Sequence, residues 1–426
     1  MRYLVVVVML GLALATAFLP APEPAEPEPA PGTEPPPVAI CPILEGGDRS
    51  TSISVLSSVN GQGRLSSFAA GEELGALEFR TGATGAITVQ ATEVEAIGAA
   101  GGLVEMPSET TAAAVVVSGP GSRAAESCAV EPAVQSFISG GSTVTDAFFE
   151  IQLINPYAGE AMVDLTVTSD AGIESNDRFD DVLVPPLSVI SLDLTQIIPG
   201  RESISVNIET LRGSILAFGR QTVDGESAMW RAVAPEQDWW LPVPPGEPTK
   251  RMLIATPEAT EVEYQVDLYG PEGFVEAHAT GILPARGSAV VPLAEITTGA
   301  AGVRVIATGP VVASLWMDSA SGMAATTGSP VDATVWLLPG ASGPPGGSSA
   351  LVVLNSDLEP VTVTVRRLAD SAIVRELEVA AEGVLVADLV AADGYRVEAD
   401  GPVVALWTSS LEGSGTAALG IPLQDG

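Results

Sequence analysis

Apolar and polar residues change places at nearly every step through much of this chain. The alternation is plain in Phe149-Glu-Ile-Gln-Leu-Ile-Asn155, and it resumes after Pro156 as Ala161-Met-Val-Asp-Leu-Thr-Val167. The same pair of runs returns as Ala350-Leu-Val-Val-Leu-Asn355 followed by Pro360-Val-Thr-Val-Thr-Val365, and again as Arg251 to Pro257 followed by Val262 to Leu268. A period of two marks half-buried β-strands with one wet face, and Asn-Pro or Asn-Ser-Asp between them marks a turn. A second strand pair follows each of these. It spans Val182 to Leu194, Gly281 to Leu293 and Leu377 to Leu389, and Leu77 to Val89 is its counterpart in the first quarter of the chain.

A longer phrase closes each set. It reads Val303-Arg-Val-Ile-Ala-Thr-Gly-Pro-Val-Val-Ala-Ser-Leu-Trp316 and Tyr395-Arg-Val-Glu-Ala-Asp-Gly-Pro-Val-Val-Ala-Leu-Trp407. A looser copy runs from Val206 to Ala217, and a fainter one surrounds Gly102-Leu-Val-Glu-Met106. The pattern predicts a glycine-pivoted hairpin at Gly102, Gly213, Gly309 and Gly401. Recurrence at roughly a hundred residues is the spacing of small tandem domains. Many short strands with frequent turns point to an all-β chain of tandem immunoglobulin-like antiparallel β-sandwich domains. A four- or eight-bladed propeller is the rival for a fourfold β repeat, although blades are usually about half this length. The expected domains are 38–133, 134–236, 237–332 and 333–426.

Composition agrees with strands and turns. The 426 residues include 44 Gly and 34 Pro, and 53 acidic residues face 18 basic ones for a net charge of −35. A surface of that sign repels nucleic acid and anionic lipid. It keeps an exposed protein soluble, and it leaves divalent cations as bridges to other anionic polymers.

The first residues read differently. After Arg2 the chain runs from Tyr3 to Leu19 without a charge. Residues 1–19 form an apolar helix that serves either as an uncleaved membrane anchor or as a signal peptide cut near Ala15-Thr16-Ala17. Both readings export the rest of the chain. Residues 20–37 are half proline, with interspersed glutamates, and make an extended linker. At about 3.1 Å per residue it reaches on the order of 50 Å.

Two cysteines, Cys41 and Cys128, bracket the first repeat. In an exported chain they pair, and the alternative is two free buried thiols. The first repeat has the weakest strand pattern, so a covalent clamp there is physically sensible.

Catalytic chemistry finds little support. His278 is the single histidine and sits in an alternating strand, with no Gly-x-Ser-x-Gly elbow in the chain. Lys250 is the single lysine, and no glycine loop ends in Lys-Ser or Lys-Thr. Zinc sites need several His or Cys ligands, which this chain lacks. No cofactor is expected. The acidic segment carrying Asp170, Glu174, Asp177, Asp180 and Asp181 is an insertion in the second repeat. Oxygen ligands in a loop suit calcium, but the spacing departs from the helix-loop-helix motif and Arg178 opposes a cation. A solvated acidic loop is the other reading. Trp239, Trp240 and Trp336 fall at repeat junctions, where they pack cores or offer faces to sugar rings.

Several short motifs resemble a family of exported or membrane-anchored actinobacterial proteins known only as a domain of unknown function. They are Ile40-Cys41-Pro42, Ser127-Cys128-Ala129, Phe137-Ile-Ser-Gly-Gly-Ser-Thr143, Leu153-Ile-Asn-Pro156 and Val184-Pro-Pro-Leu-Ser-Val189. Family members carry Trp-Tyr before the first cysteine, where this chain has Val-Ala-Ile. The resemblance implies an extracytoplasmic array of β-domains and brings no activity, substrate or catalytic residue with it.

Together these readings give a non-enzymatic, extracytoplasmic structural or binding protein of the cell envelope. Its expected partner is an envelope protein or polysaccharide. Nucleic acid is excluded, and the membrane is met through the N-terminal segment alone. The alternative is a carbohydrate-binding or adhesion module that uses the junction tryptophans.

Overall fold

The alternating segments form antiparallel ladders in the computed structural model of the protein. It describes residues 38–423 apart from 46–47, 82–84, 97, 109, 121, 247–248, 271–272, 294–298, 320–321, 342–346, 391–393 and 412–413. The apolar segment 1–19 and the linker 20–37 lie outside the described residues. Among those described, helix is confined to a 3-10 turn, Ala91–Val94, and one turn at Leu194–Ile197. No helix among them is long and apolar enough to cross a membrane.

The first repeat contains β1 (Val38–Leu44), β2 (Ser50–Ser57), β3 (Gly61–Ala69), β4 (Glu72–Thr81), β5 (Gly85–Gln90), β6 (Ala99–Glu105), β7 (Thr111–Gly119) and β8 (Ser122–Ser127). These make two sheets, β1-β6-β3-β4 and β5-β2-β7-β8. The second repeat contains β9 (Gln135–Ser139), β10 (Ala147–Asn155), β11 (Ala161–Ser169), β12 (Gly172–Glu174), β13 (Val182–Val184), β14 (Ser188–Asp193), β15 (Ile204–Arg212), β16 (Leu216–Val223) and β17 (Glu226–Arg231). Its sheets are β12-β11-β15-β9, with β13 beside β11, and β14-β10-β16-β17.

The third repeat holds β18 (Glu236–Val243), β19 (Thr249–Ala255), β20 (Val262–Gly270), β21 (Gly273–Leu283), β22 (Ser288–Pro292), β23 (Ala301–Ser319) and β24 (Gly322–Thr327). The fourth holds β25 (Ala333–Pro339), β26 (Ser348–Asn355), β27 (Val361–Arg367), β28 (Ile373–Val379), β29 (Gly383–Leu389), β30 (Gly394–Leu411), β31 (Ser414–Leu419) and β32 (Ile421–Pro422).

The recurring phrase proves to be a corner and not a hairpin. β23 runs on through Gly309-Pro310 without reversing. Its first half pairs with β18 and β20, and its second half pairs with β19 and β24. One strand therefore passes from one sheet of the sandwich to the other, and β30 does the same. A side chain at either corner glycine would crowd a valine. A Cβ at Gly309 would lie 3.1 Å from Val262, and one at Gly401 would lie 2.9 Å from Val361. Gly213 makes the bend between β15 and β16 at φ +75°. Gly102 is not the fourth member of the set. It lies inside β6, opposite Cys41, and the corresponding corner falls between β6 and β7.

The inner faces of the ladders fill the sandwiches. Val163, Leu165 and Val167 of β11 are buried, as are Val361, Val363 and Val365 of β27. Two asparagines sit fully buried at the turns predicted from Asn-Pro and Asn-Ser-Asp. The Asn155 amide donates to the carbonyls of Gly159 and Val184, and its oxygen accepts from Tyr157 N. Asn355 does the same work with Glu359, Ala380 and Asp357 N. Each side chain ties a turn to the strand beyond it.

The four repeats do not separate as an open string; they belong to one unit. β9 packs on β19 and β23, β18 on β26 and β30, and β25 returns to β2 and β7. The first repeat meets the second through Ile40, which clusters with Ile154, Leu216 and Phe218. Each repeat thus offers one surface to the next, and the fourth offers it to the first. A head-to-tail contact that closes gives a ring. The last strands β8, β17, β24 and β31 touch one another in the same cyclic order. Small residues permit this approach: Ala124-Ala125, Ala228, Ala324-Ala325 and Ala417-Ala418 are all buried there. The fourfold equivalence extends to single bonds. Cys128 N, Ala232 N, Gly328 N and Gly420 N donate to the carbonyls of Ala113, Ala217, Ala313 and Ala405 at 2.8–2.9 Å.

Candidate functional site

Cys41 and Cys128 form a disulfide, with their Cα atoms 4.7 Å apart. It joins β1 to the segment just after β8, next to the bridge between Ile40 and Ala129. The equivalent bridges in the second and third repeats, Phe137 with Val233 and Trp240 with Ser329, have no covalent bond. The first repeat is the one closed by sulfur, and its core is also the richest in alanine.

The junction tryptophans point inward. Trp239 and Trp336 are fully buried and occupy equivalent places. The Trp239 indole N–H donates to Val311 O at 2.7 Å, and that of Trp336 donates to Val403 O at 2.8 Å. Trp240 keeps an edge at the surface, but the Arg304 guanidinium lies 4.3 Å above its ring. Arg304 is held there by two hydrogen bonds to Asp238 of 2.9 and 2.6 Å. None of the three offers a free ring face for a sugar to stack on.

The acidic insertion builds β12 and β13. The Asp170 carboxylate accepts from Glu202 N and Ser203 N, and Glu174 pairs with Arg201 and accepts from Ser169. The Arg201 contact holds the Glu174 carboxyl below its ordinary range. Asp177, Asp180 and Asp181 are exposed. Among the described residues no three His, Cys, Asp or Glu side chains come together as a metal-binding group. His278 is half-buried on β21.

A cleft of about 490 Å³ lies between the second and third repeats. Carboxylates dominate it: Glu202, Asp224, Glu226 and Asp318 line it beside a single guanidinium, Arg251. Arg251 lies 3.7 Å from Asp318 and 5.6 Å from the centre of the Trp316 ring. Burial, then Asp224 and Asp318, push the Glu226 carboxyl up; burial pushes up Asp318, against the pull of Arg251. Such a cleft favours a cationic group and repels an anion.

The wall of the cleft depends on the Gly-Gly opening of the second repeat. Gly140 and Gly141 have φ of +106° and +134°, a region that favours glycine. A Cβ at Gly140 would lie 2.3 Å from the Trp316 indole, and one at Gly141 would lie 2.2 Å from Phe149. Gln221 pins the loop, accepting from Ser142 N at 2.7 Å and donating to Ser142 O at 3.0 Å. Trp230 stacks on Phe149 with centroids 5.7 Å apart and meets Trp316 edge-on at 4.7 Å. The sequence marked the Gly-Gly pair. It did not mark Glu202, Glu226 or Asp318, because a contact between different repeats leaves no local pattern.

Lys250, on β19, is only 2% exposed, and its ammonium donates to Pro244 O at 2.7 Å. Burial lowers its pKa.

These features define a class: an all-β protein of paired antiparallel sheets, disulfide-closed in its first repeat. The chain belongs to the family of unknown function DUF5719, whose model matches residues 83–323. Among curated proteins none matches. Solved structures with some likeness include the pilus backbone of Streptococcus pneumoniae, at 7% identity over 48% of this chain and 80% of that one, with a TM-score of 0.13. The major pilin subunit of Bacillus cereus matches at 10% identity over 68% and 94%, with a TM-score of 0.15. A tetra-tandem repeat from the extending region of a large adhesion protein matches at 12% identity over 91% and 100%, with a TM-score of 0.10. Scores of that size describe no common arrangement of strands.

Proposed function

We propose that this protein is a non-enzymatic, extracytoplasmic structural or binding component of the cell envelope. Its four immunoglobulin-like sandwich domains, 38–133, 134–236, 237–332 and 333–426, are carried on the linker 20–37 and tethered or exported by residues 1–19. The observation that carries the reading is the disulfide that closes the first member of a ring of filled sandwiches. Disulfides persist in oxidising compartments. The large aromatic side chains are spent on cores and junctions, which suits display of a rigid surface. The partner is an envelope protein or polysaccharide, met through the outer strands and the junctions.

The test is fractionation of cells that express a C-terminally tagged chain, with intact mass measured before and after reduction. Recovery outside the cytoplasm with a 2 Da gain on reduction supports the reading. A cytoplasmic protein with two free thiols sinks it. Co-sedimentation of residues 38–426 with isolated envelope material then tests the partner class.

A further inference from the structure

The four last strands meet at equivalent positions, and three of these carry uncharged side chains: Trp230, Thr326 and Ala418. The fourth is Glu126, 2% exposed. It shares its strand face with Ala124 and Cys128, whose cluster also takes in Met229 from β17. One carboxylate oxygen accepts from Ser127 N at 2.7 Å, and the other accepts across the junction from Arg231 N at 3.3 Å. A carboxylate buried at a joint between two repeats, with amides and one guanidinium for company, is costly to ionise.

We infer that the contact between β8 and β17 is a proton-governed latch. Protonated Glu126 lets the first and second repeats close fully, and its ionised form loosens them. The charged groups around it are few. β17 supplies Arg231, which also lines a small cavity with Glu131 and Glu236. β8 itself supplies Arg123. No titratable side chain comes from β7, β24 or β31, and the cysteine of β1 is in the disulfide.

The sign follows from burial. Desolvation raises the Glu126 carboxyl from 4.5 to about 7, against opposing pulls from Arg231 and the two amides. Once the joint opens, the group regains its ordinary acidity. The closed joint therefore binds more protons than the open one between these values. Closure is strongest in acid, weakens as pH rises towards 7 and then levels off.

Hydrogen exchange on the whole chain, corrected for the intrinsic pH dependence of amide exchange, tests this. Peptides covering β8 and β17 should lose protection by about twentyfold between pH 5.5 and 8.0. Peptides covering β24 and β31 serve as the internal reference and should change far less. Glu126→Gln should keep the first pair protected at both pH values. Equal pH dependence of the two joints in the parent protein overturns the latch, whether or not the variant folds. So does a glutamine variant that loses protection as the parent does.

Discussion

Single residues set the local costs. Glu126 makes stability depend on pH in a defined direction. It holds its proton in the folded chain up to about pH 7, and in the unfolded chain only to about 4.5. Stability from this group is complete below 4.5 and is lost as pH rises to 7, by on the order of 3 kcal/mol. Urea midpoints of Glu126→Gln against the parent should agree near pH 4.5 and differ most above 7. The buried asparagines are a second case. Asn355→Ala leaves the carbonyls of Glu359 and Ala380 without a donor and should cost about 2–4 kcal/mol by the same measurement. The sequence named these asparagines as turn markers, and the turns are there. It could not show that their amides reach on to the next strand, because that bond joins residues distant in sequence.

At the scale of elements, the decisive device is the strand that changes sheets. A Cβ at Gly401 meets Val361 at 2.9 Å, closer than the 3.1 Å between Gly309 and Val262. Gly401→Ala should therefore destabilise by about 1–3 kcal/mol and Gly309→Ala by less, as read from thermal midpoints. The glycine-proline pair was legible as a repeated sign, but its meaning was not. A reversal and a corner both call for glycine and for an interrupted ladder, so local sequence cannot separate them. The apparent copy at Gly102 misled for a related reason. Glycine in β6 serves a different need: a Cβ there would come within 3.1 Å of Ile43 and Ile53, in the core beside the disulfide. The candidate cleft was hidden further still. Its carboxylates are ordinary surface residues in a chain of net charge −35, until two repeats bring them together.

At the scale of the molecule, the tandem repeats that the sequence pattern predicts close on themselves. The contact surfaces are aliphatic and aromatic side chains, the same kinds that fill any sandwich, so the ring has no signature of its own. It does make a prediction. Repeats that lean on both neighbours should unfold together, and calorimetry should show one main transition for residues 38–426, not four. Reduction of Cys41–Cys128 should lower stability by up to about 4.5 kcal/mol in the chain-entropy account and should affect the first repeat before the third. Urea titration with and without reductant, followed by exchange on β1 and β8, measures both.

The buried ammonium of Lys250 reaches beyond packing. It is the sole lysine, so the folded surface offers every positive charge as guanidinium and no side-chain amine at all. Enzymes that join proteins through a lysine amide, and reagents that acylate lysine, have no side-chain target until the third repeat opens. Mass spectra taken after brief exposure to an amine-reactive ester should leave Lys250 unmodified in the native protein and acylated in urea. If this protein is fastened to its surroundings, the fastening is made by its N-terminal segment, its carboxylates or its fit, and not by its lysine or by its two cysteines, which are joined to each other.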